Sequence, residues 1–572
     1  MNNKQIAQIL EEIGQMLELK GENPFKSRAY FNAARTIETL GRPLPELGGK
    51  TEIGKMKGIG AALADKISRL LESGDLPYYN DLKASMPAGI MELLKIPGLG
   101  AKKVKTIYNE LKISTIGELE YACTENRLRD LPGFGEKSQE KIFSSIQLFK
   151  KYSERFLLPV ALEAGNGLLE YLKKSDKIFN IELAGSVRRK RETIRDIDIV
   201  AACADTDRTE IMTRFSQYPE IAAVEVQGET KTTVTLKTGI RADLRLVGKA
   251  SFPFLLQHST GSKEHNTALR ARARERKLKL NEYGLFAGDT EIPCHNEAEI
   301  FEQLGLSYIP PELRENYGEL EAAESGLLPE LYSGDPFYGH FHVHSTYSDG
   351  TNSIEEIARY CIDQGLSYVG ISDHSKSAFY ANGLTEQRIY AQHEEIDRLN
   401  QKFVPFRIFK GIESDILPDG KLDYTDDILA LFDFVIASVH SQFTLSQEAM
   451  TTRICHALAH PAVTMLGHPT GRLLLAREAY AVNIQKVIET AAEYDKIIEI
   501  NANPYRLDLD WRDGRYAKKL GVKTSINPDA HALEGLADYQ YGLGIARKAW
   551  FERTDILNAC DLTTVTALFK KK

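Results

Sequence analysis

The chain has 572 residues, 42% hydrophobic and 27% charged, with a formal net charge of −8. That length exceeds a single hydrophobic core and sets the expectation at two to four domains. No apolar run reaches membrane-spanning length, which excludes an integral helical membrane protein, and an acidic total leaves any nucleic acid to local basic patches.

The opening "MNNKQIAQILEEIG" is an amphipathic helix pattern without the charged-then-apolar layout of a signal peptide. Cys123, Cys203, Cys294, Cys361, Cys455 and Cys560 are scattered, with no C-x-x-C pair. This argues against a disulfide framework or a thiolate zinc site and suits a reducing cytoplasm.

Three segments of the first 150 residues share a Gly-x-Gly core: "MKGIGAALADKI" (56–67), "IPGLGAKKVKTI" (96–107) and "LPGFGEKSQEKI" (131–142). Each has an apolar residue two before its first glycine and Ile nine after it, so this is an internal repeat. Gly58, Gly60, Gly98, Gly100, Gly133 and Gly135 permit a tight turn between helices and a close backbone approach. The free N–H groups of the helix that follows form an anion site, and lysines at 102, 103, 137 and 141 add charge. The bland alternative is that each glycine pair only packs two helices. In register three times, the pattern resembles helix-hairpin-helix motifs, which grip DNA phosphates without reading sequence.

Further on, "IRDIDIVAAC" reads as a buried strand carrying two carboxylates, Asp196 and Asp198. Residues i and i+2 share a strand face, and unpaired buried carboxylates cost roughly several kcal/mol each. Something positive belongs beside them. A second alternating strand, "GIRADLRLVG" (239–248), sets Asp243 between Arg241 and Arg245. If the two strands are neighbours, three carboxylates converge into an oxygen-ligand set suited to Mg²⁺ or Mn²⁺. Two such ions activate an attacking hydroxyl and stabilise a leaving pyrophosphate. The alternative is a solvated edge strand with arginine-paired acids. Upstream, Gly185 lets backbone close on a phosphate, Ser186 donates a hydrogen bond and Arg189 can fork onto phosphate oxygens. Downstream, "LLQHSTGSKEHNTALRARARERKLKLNEYGLF" (255–286) carries a basic run at 270, 272, 274, 276, 277 and 279.

Residues 310–339 are acidic, rich in Pro and Gly and weakly periodic, and their middle, 319–336, reads as an interdomain linker. Ten of the thirteen histidines lie between 340 and 531. There, short apolar runs alternate with helical stretches at 353–364, 385–402, 446–460 and 484–494, and all but one run (496–503) end in a metal-capable residue. Seven strands alternating with helices predict a barrel-like parallel sheet with its chemistry at the C-terminal strand ends. The candidates there are His342, His344, Asp349, His374, Glu413, His440, His468, Asp529 and His531. Any one histidine alone would default to a hydrogen-bonded core residue. Nine at successive strand ends favour a centre for Mn²⁺, Fe²⁺ or Zn²⁺. His340, His393, His456 and His460 fall outside the pattern.

The ordered blocks G-S-x-R-R, D-x-D, R-x-D-x-R-L, T-G-S-x-x-x-N and N-E-Y resemble a family X DNA polymerase of the polymerase beta type. The later order H-x-H, D, H, E, H, H, D-x-H looks like that of PHP (polymerase and histidinol phosphatase) domains, with every position filled. Together the halves resemble the bacterial family X DNA polymerases with a C-terminal PHP domain. The resemblance implies a helical lyase-type region at 1–80, a helix-hairpin-helix subdomain at 81–150, an α/β palm at 151–250, a nucleotide- and template-binding thumb at 251–318, and a distorted (β/α)₇ barrel at 337–572. By it, Asp196, Asp198 and Asp243 hold the polymerase metals, and Ser186 and Arg189 hold the triphosphate. Gly261 and Asn266 face the sugar and base, and Arg270 lies near the template. The implied grouping of the barrel ions is His342, His344, Glu413 and Asp529 on one, Glu413, His440 and His468 on a second, and Asp349, His374 and His531 on a third. Lys66 matches a lysine that forms a Schiff base with deoxyribose; a solvated helix lysine is the alternative. His258 and Ser259 stand where the type carries two aromatics against the sugar, which puts sugar discrimination in doubt.

The expectation is a monomeric cytoplasmic repair enzyme, acting on gapped or primed DNA with dNTPs and away from membranes. It would fill gaps and trim 3′ ends by 3′–5′ exonuclease action, with AP endonuclease and deoxyribose-phosphate lyase activities as further expectations. The alternatives are a PHP-type nuclease or phosphoesterase whose front half mainly docks DNA, a non-catalytic DNA-end adaptor, and a small-molecule phosphatase.

Overall fold

Helix-forming segments with apolar faces build the first 154 residues around two cores, one centred on Leu10, Ile13, Ile37 and Ile67, the other on Leu93, Val104, Ile107 and Ile146. The structure is a computed structural model. It describes residues 1–572 except Asn2, Thr39, Gly41, Arg42, Gly48, Lys57, Ala88, Glu125, Asn126, Asp130, Glu154, Lys571 and Lys572. Contacts divide the chain into two units, Met1–Glu154 and Arg155–Lys572. Among the described residues no helix is long and apolar enough to cross a membrane.

In the first unit each Gly-x-Gly leads into a helix: Ala61–Ser73, Ala101–Leu111 and Glu136–Ser153. The first glycine of each pair is left-handed, with φ of 85° at Gly58, 86° at Gly98 and 82° at Gly133. That is a conformation in which a side chain is strained.

The second unit holds a five-stranded sheet and a seven-stranded one. The strands of the first are β1 (Ile178–Leu183), β2 (Asp196–Cys203), β3 (Ile221–Gln227), β4 (Lys231–Leu236) and β5 (Arg241–Val247). Their order is β1-β2-β5-β4-β3, with β2 and β5 parallel. Alternation does the sorting: Ile197, Ile199, Ala242 and Leu244 are fully buried, while Asp196 and Asp198 stay partly open on the opposite face.

The barrel strands are β6 (Gly339–His340), β7 (Tyr368–Ile371), β8 (Arg407–Asp415), β9 (Phe434–Ser438), β10 (Met465–Leu466), β11 (Ile497–Asn501) and β12 (Thr524–Asn527). They pair in sequence order, all parallel. Their near-continuous burial is what a sheet covered on both faces requires. The ring closes through a bridge between Val343 and Ala530, with His344 N–H donating to Ala530 O at 2.9 Å. This closure sets His342 and His344 beside Asp529 and His531.

The stretch expected as a linker is packed instead. Glu319–Ser325 is a helix whose Glu319, Leu320 and Ala323 are buried. The Glu319 carboxylate sits 2.7 Å from His265 Nδ1 and also accepts the N–H groups of Asn316 and Tyr317. Tyr332 is buried and donates its N–H to Phe551 O. Of its apolar residues Leu320, Ala323 and Tyr332 are buried, Leu328 and Leu331 pack partly buried against the thumb core, and Leu327 stays exposed.

Candidate active sites and nucleic-acid interface

Asp198 and Asp243 are register partners across the parallel pair β2–β5, and Asp196 lies two residues along the same face. Burial and then the charges of Asp196 and Asp243 push the Asp198 carboxyl up to about 7. Asp243 is held by Lys231 Nζ at 2.7 Å and by the Thr233 hydroxyl, which donates at 2.6 Å. A crowd of carboxylate oxygens, countered only by Arg245 and the exposed Lys231 among the charges acting on Asp198, fits hard divalent cations. The three do not form a set with all ligand atoms within 4.8 Å; every such set among the described residues is in the barrel.

Gly185 opens the short helix Gly185–Arg188 at φ 58°, where an added Cβ would lie 2.1 Å from an Asp198 oxygen. Only glycine lets this loop close over the carboxylates. Arg189 is largely enclosed: its Nη1 donates to Thr260 O and its Nε to Glu315 Oε1. Neither bond uses Nη2. Arg188 is a structural partner, paired with Glu297, which also takes Arg314 at 2.5 Å. Asn266 is buried, bonded by Gln257 and donating to His258 O at 2.7 Å. His258 is half-buried, which lowers its pKa.

The basic run splits by helix face. Arg270, Arg274 and Lys279 line one shallow cavity. Arg272 turns inward to Leu304 O and Glu324. It therefore points away from that cavity, because residues two apart on a helix do not face the same side.

In the first unit, a Cβ built on Gly60, Gly98, Gly100, Gly133 or Gly135 meets nothing within 4 Å. Gly60 and Gly100 have ordinary φ values of −81° and −82° and cap helices without a side-chain bond. Nothing among the described residues demands glycine there; the open space lies at the helix N-terminus. Lys66 sits with its ammonium 4.9 Å from the Tyr78 ring centre and 5.9 Å from that of Tyr30.

In the barrel all nine predicted ligands converge. Glu413, fully buried on β8, meets five imidazoles. Its Oε1 lies 2.8 Å from His468 Nε2, 3.2 Å from His440 Nε2 and 3.3 Å from His342 Nε2. Its Oε2 lies 2.8 Å from His374 Nδ1 and 3.7 Å from His344 Nε2. Asp529 Oδ1 is 3.2 Å from His344 Nε2 and 3.5 Å from His342 Nε2, and Asp349 Oδ1 is 3.4 Å from His531 Nε2. Four sets have ligand spacing: His342, His344 and Asp529; His342, Glu413 and His468; His374, Glu413 and His440; and His344, Asp349, His374 and His531. His342, His344 and His374 are thus shared between sets, which the implied grouping had kept apart. His342 Nε2, His344 Nε2 and Glu413 Oε2 are buried with no hydrogen-bond partner. Such atoms are costly unless a cation takes them, so the donor set fits mixed nitrogen–oxygen metal ions.

The surrounding groups fix ring orientation. Glu499 Oε1 is 2.7 Å from His342 Nδ1, and Glu499 Oε2 accepts the His468 N–H at 2.6 Å. Asp415 Oδ1 is 2.5 Å from His440 Nδ1. Burial opposes the charge of His440, but Glu413 and Asp415 outweigh it and push the imidazole up to about 10. Burial, with His531 and His374 nearby, pushes His344 down to about 3. Sequence reading missed Glu499, although a carboxylate inside the apolar run "KIIEINAN" is the same signal that singled out Asp196 and Asp198. His340 and His393 are buried against aromatic rings, His456 Nδ1 lies 2.9 Å from Asp419 O, and His460 Nε2 lies 3.1 Å from Asp426 Oδ1.

Compared with known proteins, the chain is 40% identical to the "DNA polymerase/3'-5' exonuclease PolX" of Bacillus subtilis (strain 168) across the whole of both chains. It belongs to the bacterial family X DNA polymerases that carry a C-terminal PHP domain. Family models match as a helix-hairpin-helix domain at 1–76, a SAM-like helix-hairpin-helix tandem at 90–147, a DNA polymerase beta thumb at 255–315 and a PHP domain at 340–503. Asp529 and His531 lie beyond the matched PHP segment, and the Val343–Ala530 bridge brings them to the centre. The C-terminal part is also 30% identical to a "probable phosphatase" of Thermoanaerobacter sp. (strain X514), over 40% of this chain and 94% of that protein. A "probable phosphatase" of Caldanaerobacter subterraneus subsp. tengcongensis is 30% identical over 33% of this chain and 74% of that protein.

Proposed function

We propose that this family X member is a template-directed DNA polymerase that fills short gaps in DNA repair, with a metal-dependent 3′–5′ exonuclease in its barrel. One observation carries the reading: a single chain builds two separate acidic centres, three palm carboxylates on neighbouring strands and a barrel carboxylate ringed by five imidazoles.

In the palm, Asp196, Asp198 and Asp243 would hold Mg²⁺ or Mn²⁺, which when bound supply electrostatic activation of the primer 3′-hydroxyl and of the departing pyrophosphate. The protein's part is positional. Gly185 and Ser186 bring backbone and hydroxyl to the triphosphate, Arg189 Nη2 meets a phosphate oxygen, and Gly261 and Asn266 form the sugar and base wall. His258 and Ser259 leave that wall without aromatic bulk, so ribonucleotides are accepted more readily than with an aromatic pair. Arg270, Arg274 and Lys279 hold the template backbone, and the open Gly-x-Gly turns hold the flanking duplex.

In the barrel, the nine ligands would hold three ions chosen from Mn²⁺, Zn²⁺ and Fe²⁺, which when bound supply a Lewis-acid centre for phosphodiester hydrolysis. Glu499 and Asp415 orient the His342 and His440 rings, and Arg506, 3.4 Å from Asp529, offers positive charge to an incoming phosphate. The match to probable phosphatases favours a second reaction at this centre, removal of a 3′-phosphate from a blocked end. Lys66 between Tyr30 and Tyr78 is the candidate deoxyribose-phosphate lyase nucleophile. The protein acts as a cytoplasmic monomer in this reading.

A gapped duplex assay tests the two-centre account. Asp198→Ala should abolish nucleotide addition and leave 3′–5′ degradation intact; His344→Ala should do the reverse. Loss of both reactions in either variant would refute separate centres.

A further inference from the structure

The palm loop that carries Ser186 and Arg189 is not supported by the palm alone. Lys548 ends the helix Tyr539–Lys548 of the barrel half and is fully enclosed. Its ammonium meets three acceptors: Arg189 O at 3.0 Å, Glu312 O at 3.2 Å and Glu315 Oε1 at 2.7 Å. An ammonium has three N–H groups, so this set satisfies it completely. The oxygen it shares, Glu315 Oε1, also accepts Arg189 Nε at 3.2 Å, and Arg191 Nη1 lies 3.5 Å from Oε2. Next to this knot, Arg314 O accepts the Ser262 N–H at 2.9 Å, which anchors the turn after Gly261. Gly544, one turn back on the same helix, makes room for the Lys190 side chain. The loop at 185–191 and the segment at 312–315 therefore meet at one side chain of the barrel, and the turn at 260–262 is tied to them through Arg314 O and Arg189.

Burial alone would push the Glu315 carboxyl up, but Lys548, Arg189 and Arg191 outweigh it and hold it below the usual carboxylate value; burial lowers Lys548 from its ordinary value, and its three close contacts hold it in the knot. Without Lys548 the whole Glu315 charge would fall to the two arginines and draw the Arg189 guanidinium away from the triphosphate. The Arg189 carbonyl would also lose its donor.

We propose that Lys548 is a positioning residue for nucleotide binding: by fixing the Arg189 carbonyl and sharing Glu315 with the Arg189 guanidinium, it makes the barrel half set the affinity of the palm for the incoming triphosphate. The proposal rests on Arg189 as a triphosphate ligand.

Steady-state incorporation of one dNTP into a single-nucleotide gap, measured on the full chain with Mg²⁺, tests it alongside 3′–5′ degradation of a single strand. For Lys548→Met, the KM for dNTP should rise about tenfold, with kcat and the degradation rate within about twofold of the parent, as loss of one charge-assisted contact implies. Lys548→Gln, which keeps an N–H donor without the charge, should recover part of the KM. Arg189→Ala should raise KM on its own, and adding Lys548→Met to it should change little more. If Arg189→Ala leaves KM unchanged, Arg189 is not a triphosphate ligand and the proposal falls with that reading. If Arg189→Ala raises KM but Lys548→Met does not, only the proposal is overturned. Equal losses in synthesis and degradation by a protein that still melts cooperatively would make Lys548 a structural residue and also overturn it. Should Lys548→Met lose its cooperative melt, Glu315→Gln decides: a raised KM with unchanged degradation upholds the proposal and an unchanged KM overturns it.

Discussion

Glu499 reaches His342 Nδ1 at 2.7 Å from a strand that contributes no predicted ligand, and its second oxygen takes the backbone N–H of His468. One carboxylate thereby aims two imidazoles of the barrel centre. Such partners fix the tautomer and raise the basicity of the ligand, and losing one costs about 10–100-fold in metal affinity. Glu499→Gln should therefore need that much more Mn²⁺ for half-maximal degradation and recover at saturating metal. Gap filling in the same preparation should be unaffected. A titration of both activities against Mn²⁺ checks this; equal metal dependence of the variant and the parent would contradict it.

Asp198 predicts a trade between stability and activity. Its folded pKa of about 7 lies above the ordinary carboxylate value, because of burial and the adjacent Asp196 and Asp243 charges. The folded chain thus keeps a proton that the unfolded chain gives up. The resulting stability is whole below about pH 4, falls as pH rises, and is gone above about pH 7. Asp198→Asn never ionises. In EDTA at pH 8 it should be more stable than the parent by on the order of 2 kcal/mol, with the difference shrinking towards pH 4, while synthesis is lost. Melting curves of both proteins from pH 4 to 8 test the sign.

Metal loading of the barrel should release protons. His440, pushed up to about 10, and His531, pushed up to about 9 against burial by Asp349 and Asp529, both carry protons near neutral pH in the metal-free protein. Ligation needs a bare ring nitrogen. With His342, whose ring Glu499, Asp529 and Glu413 also raise well above the ordinary imidazole value against burial, binding should release about three protons at pH 7 and tighten as pH rises towards 9. Calorimetry in buffers of different ionisation enthalpy measures the count, and a release of zero would rule out these imidazoles as ligands.

The two glycines of a helix-hairpin-helix turn should behave differently. Gly98 has φ 86°, so Gly98→Ala pays backbone strain of about 1 kcal/mol or more and lowers the melting point. Gly100 has φ −82° and open space at its Cβ position, so Gly100→Ala should leave stability intact. If that space receives a phosphate backbone, Gly100→Ala should weaken gapped-DNA binding several-fold. Paired melting and binding curves separate the two effects.

Much of this is legible in the sequence. Strand periodicity placed Asp196, Asp198 and Asp243 on one face, and strand ends placed the nine candidate ligands of the barrel, because both follow from where a pleated backbone points its side chains. Less local features were not legible. Arg272 and Arg270 look alike in the sequence, and only the neighbouring segment at 304–305 and Glu324 show that Arg272 turns inward. Residues 319–336 read as a tether since acidic, Pro- and Gly-rich chains usually are, yet Glu319 finds a buried histidine 54 positions earlier. The sharing of His342, His344 and His374 between ligand sets depends on side-chain reach across a closed ring, which strand order does not contain.

Because the stretch after the thumb is pinned at Glu319 and Tyr332 and not slack, it gives one catalytic half little freedom to swing towards the other. A mispaired terminus has to make the journey itself, by fraying off its template and being captured as a loose strand. Editing by such a protein would then be governed by how easily the last few base pairs melt, and weakly paired ends would be corrected first.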